Sequence, residues 1–151
     1  MKFYTKITVM IFFIAAPSIV FSNDAGSMSQ SIRKIAPHGI SESFYSCLDK
    51  AGNSSIDDAA CIVNEKSNQD ARLNKAYKKL LTILKGDAKS GLIDSEKSWI
   101  ISRTKDNSFE EHLYSDGSQI GNLEREQNDT FRLCERANFI EKYLAIASLN
   151  L

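Results

Sequence analysis

The chain has 151 residues, enough for one domain, with a quarter of them charged and 19 basic against 19 acidic side chains. That balance excludes a polyanion binder, because nucleic-acid binding needs a basic excess to neutralise phosphates. It also leaves no strong acidic field.

The chain begins with a segment unlike the rest. Lys2 and Lys6 form a short positive region, and residues 7–21, ITVMIFFIAAPSIVF, carry no charge. Val20 and Ser22 suit the −3 and −1 positions of a cleavage site, so residues 1–22 read as a secretory signal peptide, cut after Ser22 or, as second choice, after Ala25. An uncleaved anchor is the competing reading. The apolar core is short for a span of about 20 residues, and Pro17 interrupts it. Cys47 is the first cysteine, so nothing at the cleavage site can accept a lipid. The expected location is the bacterial periplasm or the outside, with no stable membrane anchor after cleavage. Removing residues 1–22 takes away two lysines and no acid, leaving 17 basic and 19 acidic residues.

Residues 23–40 are rich in Ser, Gly and Asn, and read as a flexible arm with room for a short helix over 29–35. A helical domain over 41–149 follows. Its first helix, about 41–51, carries Phe44, Cys47 and Leu48 and ends at Gly52. The second, about 55–85, opens with Asp57 and Asp58, where the helix dipole favours acids. Leu73, Ala76, Tyr77, Leu80, Leu81 and Leu84 then mark one face at the 3.6-residue period. The third, about 89–114, holds Leu92, Ile93, Trp99, Ile100 and Ile101. SDGS (115–118) is turn chemistry, and Ser118 can cap a fourth helix over 118–147. No segment alternates at period two, so the fold class is all-α, a small bundle of about four helices.

Cys47 and Cys61 flank the GNSS turn. If the first two helices fold back on each other there, the thiols face one another and a disulfide ties the hairpin. Two buried reduced thiols are the alternative. Cys134, amid Phe131, Leu133 and Ile140, reads as a buried free thiol, with a dimer-forming disulfide as the second choice.

Catalytic chemistry has little to stand on. His38 and His112 belong to no metal-ligand pattern, and there is no CxxC, glycine-rich phosphate loop or GxSxG. The expectation is no enzyme, no metal and no cofactor. Arg72, Lys75 and Lys79 line one side of the second helix, with Glu124, Glu126 or Asp129 on the fourth as candidate partners. Glu110 and Glu111 are a solvated pair or face a partner.

The stretch 47–103 resembles the lysozyme-inhibitor LprI family of small exported bacterial domains. The resemblance rests on Cys47, KAGNSS, Cys61, Glu65, Asp70, Leu73, Asn74 and Tyr77, then Leu92, Trp99 and Arg103 on the next helix. Glu96 stands where the family usually has Gln. RTKDNSF (103–109) lacks the cysteine that members usually carry after the Arg-Asp, so Cys134 reads as the remnant of a lost second bridge. Trp99 and Tyr77 are expected as core anchors, and Asp70 with Arg103 as an interhelical ion pair near Asn74. What the resemblance implies is stoichiometric blockade of lysozyme or another peptidoglycan hydrolase. The expected contact is the turn Tyr114, Ser115, Asp116, Gly117 and Ser118 with Glu110 and Glu111, an exposed tyrosine beside acids. The competing reading is a periplasmic or secreted interaction domain with no hydrolase target.

Overall fold

Four helices start by the same local device. The hydroxyls of Ser27, Ser41, Ser54 and Ser118 accept the backbone N–H of Gln30, Phe44, Asp57 and Gly121 at 3.4, 3.2, 3.4 and 3.0 Å. Each serine thereby satisfies one of the orphan donors of a first turn. The computed structural model describes residues 27–52, 54–114 and 117–149. Residues 1–22, expected as a signal peptide, and the turn residues Ser115 and Asp116 lie outside the described residues.

The helices are α1 (Met28–Ile35), α2 (Glu42–Ala51), α3 (Ser55–Ile83), α4 (Gly86–Leu113) and α5 (Gln119–Leu149). The described residues are all-α, but with five helices rather than four. The added helix is α1, inside the stretch expected as a flexible arm. It falls where the sequence left room for a short helix over 29–35, and it is packed: α1 buries Ile32 and the following loop buries Ile40 against Phe44, Tyr45 and Leu48 of α2. Arg33 stacks 3.7 Å from the centre of the Tyr45 ring and bonds Glu42, while Ser29 donates to Asp49 at 2.5 Å. An eight-residue helix is marginal alone, and these contacts hold it.

The disulfide joins Cys47 to Cys61 with Cα atoms 5.7 Å apart, within the reach of a normal bridge. It links α2 to α3, the second and third helices rather than the first two. Gly52, at φ 62°, turns the chain between them in a conformation that a side chain would strain. The closed loop is short, so the chain-entropy model gives about 3 kcal/mol. Cys134 is free and buried.

The long pair α3 and α5 forms the spine. At one end, α1, α2 and the start of α3 surround Cys134 of α5. At the other, Leu73, Ala76 and Leu80 meet Leu133, Ala137 and Ile140. Between the two clusters lies a polar layer. Glu65, 1 % exposed, accepts the Ser41 N–H at 2.9 Å, the Ser41 hydroxyl at 2.5 Å and the Gln69 amide at 2.7 Å. Gln69 also donates to the Gly39 carbonyl, and Arg72 reaches Gln69, Asn138 and Glu141. A side chain at Gly39 would strike the Arg72 guanidinium at 2.6 Å, so this close approach requires glycine. Arg72 was expected to meet Glu124, Glu126 or Asp129. Those acids lie earlier on α5 and face earlier turns of α3, where Lys66 takes Glu126 and Asp129.

The helix α4 is held differently. It has no buried residue, and Ile100 and Ile101 are exposed. Glu96, Arg103 and Glu110 stand seven residues apart, on one stripe. They pair with Arg136, Asp129 and Arg132 of α5 at 2.9, 2.6 and 2.8 Å. Trp99 lies in this stripe, half-buried, with the Arg103 and Arg136 guanidinium groups each 5.6 Å from its ring centre.

Candidate functional site

The region expected to meet a partner is the end of the molecule where α4 gives way to α5. Glu110 sits on the α4 face that packs on α5. Its carboxylate takes two hydrogen bonds from Arg132, both at 2.8 Å, and one from Asn128 at 3.2 Å. With its side chain only 12 % exposed, Glu110 is committed to the helix pair and fixes its register. Glu111, one residue on, is exposed. Tyr114 ends α4, and its Cβ lies 2.9 Å from where a side chain at Gly121 would begin, so the tight return of the chain needs the glycine. The Tyr114 hydroxyl bonds Glu124, which raises its pKa above the usual tyrosine value. Exposed acids and one tyrosine thus share this end, with Asp116 in the turn beyond the described residues.

Beside it, between α4 and α5, a cleft of about 430 Å³ is lined by Thr104, Asn107, Ser108, Glu111, Arg125, Glu126 and Asp129. At its base Asp129, 2 % exposed, receives Arg103 through two bonds of 2.6 Å and Lys66 at 2.8 Å. Burial alone would raise the Asp129 pKa. The hydrogen bonds from Arg103 and Lys66 outweigh it and hold the carboxyl well below the usual carboxylate range. A carboxylate so firmly ionised and fully engaged cannot serve as a proton donor or acceptor near neutral pH. Among the described residues no group of three or more His, Cys, Asp or Glu side chains is placed to hold a metal ion. His112 bonds the Ser108 carbonyl of its own helix at 2.6 Å.

Six of the residues that carry the family resemblance, Asp70, Leu73, Asn74, Tyr77, Trp99 and Arg103, divide. Leu73 is buried, and Tyr77 and Trp99 pack half-buried on the same cluster. Asp70 and Asn74 are exposed and bond only each other's turn, with the Asn74 amide 2.9 Å from the Asp70 carboxylate and from its carbonyl. The expected Asp70–Arg103 ion pair is therefore corrected: Arg103 pairs with Asp129. Asp70 is exposed, whereas the half-buried Lys66, one turn earlier, reaches Asp129 of α5. Sequence reasoning also missed Glu65 and Gln69 as a buried pair. Their spacing of four on α3, in phase with Cys61, Ile62 and Leu73, was the available signal.

No helix among the described residues is long and apolar enough to cross a membrane. No curated protein and no solved structure matches the chain. Residues 47–139, well over half of its length, match the family model described as lysozyme inhibitor LprI. The match opens at the first cysteine of the bridge and closes on α5 just past Arg136, so it takes in the disulfide, Arg103 with its partner Asp129, and the whole α4 stripe. The chain belongs to the lysozyme inhibitor LprI family.

Proposed function

We propose that the protein is exported and blocks a peptidoglycan hydrolase of the lysozyme type by one-to-one binding, without catalysis of its own. Family membership carries this reading. The division into a signal peptide (1–22) and an exported remainder belongs to it, and the Cys47–Cys61 bridge supports it, since disulfides persist in oxidising compartments. For the contact surface we propose the end of α4: Glu111 and Tyr114, with Asp116 in the turn and Glu110 as the residue that positions them through Arg132. Acids on a rim speed the approach of a basic enzyme more than they add affinity.

The test is clearance of cell-wall suspensions by an animal-type lysozyme, with and without the chain from residue 23 to 151. Inhibition should saturate at one equivalent and weaken with salt, as screening requires. Glu111→Lys with Asp116→Lys should weaken it further. Unchanged affinity in that double variant would move the contact elsewhere on the molecule. No inhibition at micromolar excess would reject the hydrolase target and favour an interaction domain with another envelope or secreted partner.

A further inference from the structure

A groove of about 430 Å³ runs between α1, α3 and α5. Its rim is apolar and open: Met28 and Ile35 of α1 are 50 % and 71 % exposed, and Ile120 of α5 is 71 % exposed. Ile62 and Leu123 lie deeper. Asp58 of α3 also lines it. That side chain is 5 % exposed, and its Oδ1 is buried with no hydrogen-bond partner among the described residues. Burial first, and the neighbouring Asp57 second, raise its carboxyl above the ordinary aspartate value.

The first turn of a helix explains an acid at this place in the sequence but not its burial. Asp57 has the same dipole and stays in solvent. The other buried carboxylates among the described residues are saturated, Glu65 by three donors and Asp129 by Arg103 and Lys66. A buried oxygen without a donor is costly to keep. Glu124, which accepts the Tyr114 hydroxyl, adds a second acid to the lining, and among the described residues no Lys, Arg or His contributes to it.

We infer that this groove receives a lysine or arginine side chain of a basic partner protein, its alkyl stem along Ile35, Ile120 and Leu123 and its cationic head on Asp58. Those two residues alone combine a long apolar stem with a cation, and both bury the stem readily. The lining matches them in both parts, and its charge is complementary to a basic partner. That the partner is the hydrolase rests on the function proposed above; the chemistry of the groove does not.

Two measurements separate these. In the first, the chain from residue 23 to 151 is titrated with pentylammonium, and with pentanol as the uncharged control, while NMR follows the Asp58 carboxyl and the Ile62 and Leu123 methyl groups. Pentylammonium should shift all three, and Asp58→Asn should weaken its binding at least about tenfold, because a buried charge pair loses its acceptor. Equal binding of pentylammonium and pentanol, or equal binding by the variant, overturns the inference. In the second, the variant is compared in the lysozyme assay. Where the unaltered chain inhibits, Asp58→Asn should raise the half-inhibiting concentration by a similar factor; an unchanged value removes the groove from the contact and leaves inhibition standing. An unaltered chain that binds pentylammonium but does not inhibit rejects the hydrolase and supports the cation site. Asn preserves the shape of Asp and removes a poorly solvated charge, so a folded variant is expected, checked by its helical circular dichroism.

Discussion

Asp129 and Asp58 are both buried aspartates on the two long helices, and their surroundings are opposite in kind. Asp129 faces the α3, α4 and α5 seam, where Lys66 and Arg103 converge on it and Arg132 stands 3.8 Å away. Asp58 faces the α1, α3 and α5 groove, where no cation lines the wall. The first region is complete at its carboxylate: Lys66 and Arg103 pair Asp129 within the fold and Arg103 also holds α4 in place, although the Arg132 Nε beside them is buried without a hydrogen-bond partner among the described residues. The second keeps an apolar lining open and leaves an acceptor unfilled. A buried charge that the fold itself satisfies belongs to assembly. One that the fold leaves unsatisfied lowers stability, and an outside cation would relieve that cost.

The largest effect should come from breaking the complete region. Asp129→Asn leaves Arg103 without the carboxylate it pairs with and Lys66 with Glu126 alone, and should cost about 3 kcal/mol, read from urea unfolding midpoints. The pH dependence sharpens this. The Asp129 pKa is lower in the fold than in the unfolded chain, so its stabilising share is complete above about pH 4 and drains away as pH falls below that. The gap between the unaltered chain and Asp129→Asn should accordingly be full at pH 7 and narrow in acid. A gap that persisted undiminished at pH 2 would mean that Asp129 acts through shape rather than charge.

Asp58 should behave in the reverse sense. Its pKa is raised in the fold, so folding favours the protonated form and stability falls as pH rises from about 4 through the folded value. At pH 7 Asp58→Asn should stabilise the domain by about 1 kcal/mol, the relief of an unsatisfied buried charge less a few tenths for the lost dipole contact. Below about pH 4 the two proteins should converge. A destabilisation at neutral pH would show that Asp58 has a structural donor after all and would erase the contrast with Asp129.

Much of the fold was legible because its signals are local. Helical periodicity over Leu73 to Leu84, the glycine at 52 and the cysteines flanking one turn lie within a few residues of each other, and they fixed the all-α class and the Cys47–Cys61 bridge. The helix α1 was harder. Its eight residues are too few to be stable alone, and what holds them is Ile32 against a core formed by residues further along the chain. The attachment of α4 was not readable either. Leu92, Ile93, Trp99, Ile100 and Ile101 look like a buried stripe, yet Ile100 and Ile101 are solvent-facing and the helix is docked by three arginine–carboxylate pairs. Which acid meets which arginine depends on helix rotation, and a rotation is not written in spacing alone. The same limit hid the groove: Asp58 has a sufficient local reason to be an acid, and only the packing of α1 and α5 over it shows that it is buried.

The smallest predicted effect is the sharpest test of that rotation. Asp70 and Asp129 were both available to Arg103 from the sequence, and both are charged residues on helices that flank it. The structure separates them by exposure. Asp70 is solvent-facing and, among the described residues, its side chain bonds Asn74, four residues on along its own helix. Such pairs contribute about 0.2–0.5 kcal/mol. Asp70→Ala should therefore change the unfolding midpoint by no more than that and leave the acid profile intact. In a double-mutant cycle with Arg103→Ala its coupling should be indistinguishable from zero, whereas the cycle of Asp129 with Arg103 should show a coupling of about 1 kcal/mol or more. A strong Asp70–Arg103 coupling would mean that α3 is turned about its axis relative to the arrangement described here. Because Lys66 and Asp70 are four residues apart on that helix, such a turn would also pull Lys66 from Asp129, and the complete region would no longer be complete.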